Sequence, residues 1–164
     1  MLKRIHVCLV ILALLALTNV ARADTSVGEA KRLGVGFGGG LVTYGLTGKY
    51  HLSGDHAVSL SLGARYGQST EAGYVQRVTT LWDGGNRGQL DLGVGAAVTL
   101  WRFDLGTVEP TTIFGGRGFV EFAYKFSGVP LEVTAEWGPS WLTGQGVFGG
   151  LYLAGAGSAV RWFF

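Results

Sequence analysis

Glu132 and Glu136 are the carboxylates whose types best suit paired acid–base chemistry, one donating a proton while the other accepts one. They lie four residues apart on an alternating segment. On a strand that spacing separates them by about 13 Å, too far to share one reacting bond. His51 and Ser53 have the types of a base and a nucleophile, yet they flank a turn signal, Ser53-Gly54-Asp55-His56. His6 sits in the apolar amino-terminal stretch, which leaves His51 and His56, and no metal-ligand spacing appears. Gly34-Val35-Gly36-Phe37-Gly38 has the glycines of a phosphate loop but no helical pattern after it. The expectation is therefore no catalytic residue, no metal and no cofactor.

Nine charged residues share a different property. Lys49, Arg65, Arg77, Asp91, Glu121, Lys125, Glu132, Glu136 and Arg161 fall on the polar side of segments read as period-two strands. Val58, Leu60, Leu62, Ala64 and Tyr66 oppose Ser59, Ser61, Gly63 and Arg65. Tyr44, Leu46, Tyr50 and Leu52 oppose Thr43, Gly45, Thr47, Lys49 and His51. Leu90, Leu92, Val94, Ala96, Val98 and Leu100 oppose Asp91, Gly93, Gly95, Ala97 and Thr99. Val120, Phe122, Tyr124 and Phe126 oppose Glu121, Ala123 and Lys125. Leu131, Val133, Ala135 and Trp137 oppose Glu132, Thr134 and Glu136. Three weaker segments complete a count of about eight strands: Leu33 to Phe37, Val78 to Trp82 with Leu81 on the supposed inner side, and roughly Gly149 to Phe164.

The ends of the chain set the compartment. Lys3 and Arg4 precede an eleven-residue apolar run, Val7 to Leu17, and Ala21-Arg22-Ala23 follows. That is the pattern of a secretory signal peptide, too short for a membrane anchor. Residues 1–23 are thus expected to be cleaved, leaving 24–164 as one domain. Three of the thirteen basic residues leave with it and none of the eleven acidic ones, so the remainder carries a net charge of −1. Nothing there suggests nucleic acid as a partner, and the one cysteine, Cys8, lies in the segment removed.

An exported, apolar chain without helix-length apolar runs points to a closed barrel, the other structure that satisfies every backbone group in lipid. Short turn signals (Ser53 to His56, Gly84 to Gly88, Ser127 to Pro130) alternate with longer segments near 67–75, 104–117 and 138–148. This is the outer-membrane pattern of short periplasmic turns and long outer loops. The polar faces carry mainly Gly, Ser, Thr and Ala, which fit a narrow interior, while the bulky faces suit lipid. Tyr50, Trp82, Phe126, Trp162 and Phe164 are expected at the short-turn rim, and Tyr44, Tyr66 and Trp137 at the other. The inward charges are expected to pair and close the lumen, because an unpaired buried charge is costly.

Several stretches are similar to a family of small outer-membrane proteins, mostly of unknown function, with OmpX/OmpA-like eight-stranded barrels. Tyr44-Gly45-Leu46-Thr47-Gly48-Lys49-Tyr50, within Gly34 to Leu52, resembles that family's opening hairpin. Phe122 to Val133 resembles its next-to-last hairpin, and Arg161-Trp162-Phe163-Phe164 its aromatic end. Val160, Trp162 and Phe164 resemble the terminal signal read by barrel-assembly machinery. The stretch 103–116 matches nothing in the family. His51-Leu52-Ser53 weakly resembles the His/Ser pairs of lipid A deacylases, but at the wrong rim.

The expectation is an all-β, antiparallel up-and-down transmembrane barrel in the outer membrane of a Gram-negative-type bacterium. It is expected to be structural or surface-interacting rather than an enzyme, with lipid and lipopolysaccharide around it. Phe114, Arg117 and Trp141 are candidate loop contacts for an envelope or host ligand. The alternatives are an enzyme acting on envelope lipid and a narrow channel.

Overall fold

The computed structural model describes residues 27–40, 42–64, 67–103, 111–144 and 147–164. The proposed signal peptide (1–23) and Arg65 and Tyr66 lie outside them. Eight strands form one closed barrel: β1 (Leu33–Gly39), β2 (Gly45–His51), β3 (His56–Gly63), β4 (Gln68–Asp83), β5 (Gln89–Phe103), β6 (Thr111–Lys125), β7 (Leu131–Gly144) and β8 (Val147–Phe163). Every neighbouring pair is antiparallel, and β8 returns to pair with β1.

The alternation read in the sequence decides which side chains face in. Thr47, Lys49 and His51 are buried while Leu46 and Tyr50 are exposed, and the other strands follow the same rule apart from β4 beyond Arg77. Following opposed residues from Glu132 through Arg161, Gly36, Thr47, Ser61, Glu71, Thr99 and Gly115 returns to β7 at Leu142, a stagger of ten residues. That stagger tilts eight strands by about 40° and gives a wall radius of about 8 Å. So narrow an interior must be filled by side chains.

The walls differ in height. The strands β1, β2 and β3 have 7, 7 and 8 residues, whereas β4 to β8 have 14 to 17. Two segments expected as long loops are largely strand: 67–75 lies mostly in β4, and most of 138–148 in β7 and the start of β8. Of 104–117, residues 111–117 begin β6, and 104–110 lie outside the described residues. Glycine-rich stretches without bulky alternating residues concealed these extensions. The weak alternation near Val78 also has a physical cause. Register shifts between Arg77 and Thr79 and between Thr80 and Trp82 break the period, and Leu81 is exposed rather than inward.

The β1–β8 seam depends on glycine. The Phe163 ring lies over Gly34, and a side chain at Gly36 would strike the Val160 carbonyl. Gly38 and Gly39 both have positive φ (145° and 148°), which turns the chain inward after β1. Gly40 then rests against Glu71 and Arg117, and Thr43 is fully buried.

Candidate functional site: the charged lumen

Eight of the nine charges expected inside lie in a network at the short-turn half of the lumen or in the cluster above it. Lys49 reaches down β2 to donate to Glu121 (2.9 Å) and Glu132 (3.0 Å). Arg161, directly opposite Glu132 on the neighbouring strand, lies 3.5 Å from it and also donates to Thr47 and Thr134. Gly36 is opposite Arg161 on its other side, and its missing side chain leaves the guanidinium room to reach Thr47 on β2. Lys125 pairs with Asp91 at 3.0 Å, and Asp91 also accepts from Thr80 and Gln89. Arg77, at the mouth, is shared between Asp91 and Asp55. Arg65 is the one expected member that lies outside the described residues.

A second cluster sits higher. Arg117 donates to Glu71 (2.8 Å) and to Glu136, and Thr99 donates to Glu71 (3.0 Å). The guanidinium carbon of Arg117 stands 4.4 Å from the Phe119 ring centroid. Phe119, Ala57, Val75 and Ala97 form an apolar patch on the β3–β6 side. Glu121 and Glu136 face each other across β6 and β7. Like charges so placed repel, and each is answered by a different cation, Lys49 below and Arg117 above.

The candidate loop contacts need correcting. Arg117 is buried on the inner face of β6, and Phe114 and Trp141 are exposed on the outer faces of β6 and β7. All three belong to strands that run beyond the length read from the sequence. Trp137 likewise lies midway along β7 rather than at its upper end. Glu71 was the inward partner that sequence reasoning missed. Its signal was the alternation Ser69, Glu71, Gly73, Val75, obscured by the small residues around it.

The residues considered for chemistry are held in structural contacts. Glu132 and Glu136 belong to different clusters. His51 is buried beneath Gly28, its ring 5.4 Å from Phe163 and its Nε2 3.9 Å from Glu132. The Ser53 hydroxyl accepts from the Asp55 amide at 3.4 Å. Among the described residues no group of His, Cys, Asp and Glu is arranged to hold a metal ion. Between Lys49, His51, Ala57, Val75 and Glu132 remains a cavity of about 20 Å³, room for a single water.

A closed wall that is apolar outside and ion-paired inside defines the transmembrane class of β-barrel. Val98 and Leu151 are 66% and 67% exposed on its outer face, while Glu132 is wholly buried within. The barrel is of the OmpA/OmpX-like type. It is similar to the crystal structure of the N-terminal β-barrel domain of Pseudomonas aeruginosa OprF, with a TM-score of 0.50 and 15% identity over 81% of this chain and 96% of that domain. At that identity the likeness concerns the fold. No protein-family model and no curated protein matches the sequence.

Proposed function

We propose that this protein is a Gram-negative-type outer-membrane barrel with a structural or surface-interaction role and a closed polar lumen, not an enzyme or a channel. The carrying observation is the filled interior. Lys49, Arg161 and Glu132 are each no more than 3% exposed, and the space beside them admits about one water. An ion crossing this lumen must break several buried pairs, each of which costs several kcal/mol to open. Planar-bilayer recordings of the purified protein are expected to show no porin-scale conductance. Sustained porin-like steps overturn the closed-lumen reading.

The exposed band of Leu, Val and aromatic residues supports lipid, including lipopolysaccharide, as the surroundings. Val160 and Phe164 are exposed on the outer face of the last strand and its end, and Trp162 lies between them, as a segment read by assembly machinery would require. Mass analysis of lipid A from cells with and without the protein tests the absence of catalysis. An unchanged acyl pattern is expected, and a changed one establishes an enzyme. An envelope or host ligand would meet the protein at its outer rim.

A further inference from the structure

At a tilt of about 40°, each strand residue rises about 2.5 Å along the barrel axis. The seven or eight residues of β1 to β3 therefore make a wall about 18 Å high. The fourteen to seventeen of β5 to β8 make one of about 35 Å. The apolar band of an outer-membrane barrel is about 25 Å tall. The low wall falls short of it by about 7 Å, and the high wall exceeds it.

The described part of the connections above the low wall does not make up the difference. Residues 40–44 join β1 to β2 and residues 64–67 join β3 to β4. Of the first, Gly40 and Thr43 turn inward over the lumen instead of rising. The lower ends of β1–β3 and β6–β8, by contrast, are nearly in step: Leu33 is opposite Tyr50, Gly34 opposite Phe163, Leu131 opposite Trp162 and Lys125 opposite Glu132. Only the β4–β5 hairpin runs on below β3, where Arg77 to Asp83 pair with β5 alone. The difference in height is therefore at the upper rim. In a bilayer of uniform thickness the irregular backbone at 40 and 42–44 would lie within hydrocarbon, where lipid-exposed irregular chain does not occur.

We propose that the low wall docks a locally thinned outer leaflet, so that the lipid surface dips beside β1–β3 to the level of the upper ion cluster. The partner is the lipid bilayer itself, engaged by the exposed Phe37, Leu46, Leu60 and Leu62. Mismatch of this kind is met by tilting the protein or by thinning the bilayer. Tilting alone fits poorly, because the lower end is not displaced on the same side as the upper. The proposal rests on the membrane reading given above, and depth measurements separate the two.

The one cysteine, Cys8, lies in the segment expected to be removed, so single-cysteine variants of the mature chain carry one spin label each. Leu62→Cys on the low wall and Val98→Cys on the high wall stand at nearly the same height, on the order of 15 Å above the lower ends. In vesicles of a sixteen-carbon phosphatidylcholine, oxygen and nickel-chelate accessibility reads the depth of each label. The Leu62 label is expected to lie shallower than the Val98 label by about 5 Å, and Leu46→Cys serves as a second low-wall position. Leu52→Cys, at the lower end of the same wall, is expected at the inner interface. Equal depths for Leu62 and Val98 overturn the thinning. A Leu52 label drawn into hydrocarbon assigns the difference to a tilted barrel and also overturns it. Water-exposed labels at all positions overturn the membrane reading itself.

Discussion

The two charge clusters answer the same physical problem with different wiring. In the lower one, partners are shared. Glu132 is met by Lys49 and Arg161, Lys49 also has Glu121, and Arg161 also has Thr47 and Thr134. The upper one is a hub, with Arg117 as the cation between Glu71 and Glu136. Removing one member of a shared network leaves the others partly satisfied. Removing a hub leaves Glu136 without its cation and Glu71 with only its Thr99 hydrogen bond. The arrangement of partners, more than their number, decides how much each residue matters.

Urea unfolding in detergent micelles, followed by the gel shift of the folded barrel, tests this contrast. Arg117→Leu should be the most destabilising change, by about 5 kcal/mol, at the upper end for breaking a buried pair. Glu132→Ala should cost about 3 kcal/mol, since Lys49 keeps Glu121 and Arg161 keeps its threonines. A larger loss for Glu132 than for Arg117 would dissolve the distinction between hub and network. Gly40→Ala places a methyl within 2.6 Å of the Arg117 Nη2 atom. Because the obstacle is the far end of side chains, a loss of about 1–2 kcal/mol is expected. A neutral result would show that the inward connection does not press on the hub. Asp55→Ala breaks a pair at the mouth in which Asp55 is 57% exposed, and the loss of stability should be less than about 1 kcal/mol.

The lower cluster was legible in the sequence and the upper one largely was not. Lys49, Glu121, Lys125 and Glu132 stand in segments where bulky residues alternate strictly, next to recognisable turns, so their inward direction follows from period alone. Glu71 and Arg117 stand among glycine, serine, threonine and alanine, or beside a segment whose length hid the start of its strand. Small residues on both faces erase the contrast on which period depends. The double register shift in β4 erased it again between Val78 and Trp82. The eight-strand count and the inward direction of the charges survived these gaps, because pairing of neighbours carries the wall across them. The difference in wall height did not, because it depends on where strands stop, which alternation does not report.

The glycine face of β1 has a consequence in time as well as in space. The pairing of β1 with β8 joins residues near Gly34 to residues near Phe163, the most distant partners along the chain. Joining them has the largest loop-closure cost of any pairing in the wall, so the seam is the natural final step of assembly. Gly34, Gly36 and Gly38 bring no side chain to that step. An open sheet can thus set Arg161 and Phe163 in place on β8 first and receive β1 afterwards as a strand whose inner face is bare, so that closure does not repack the interior.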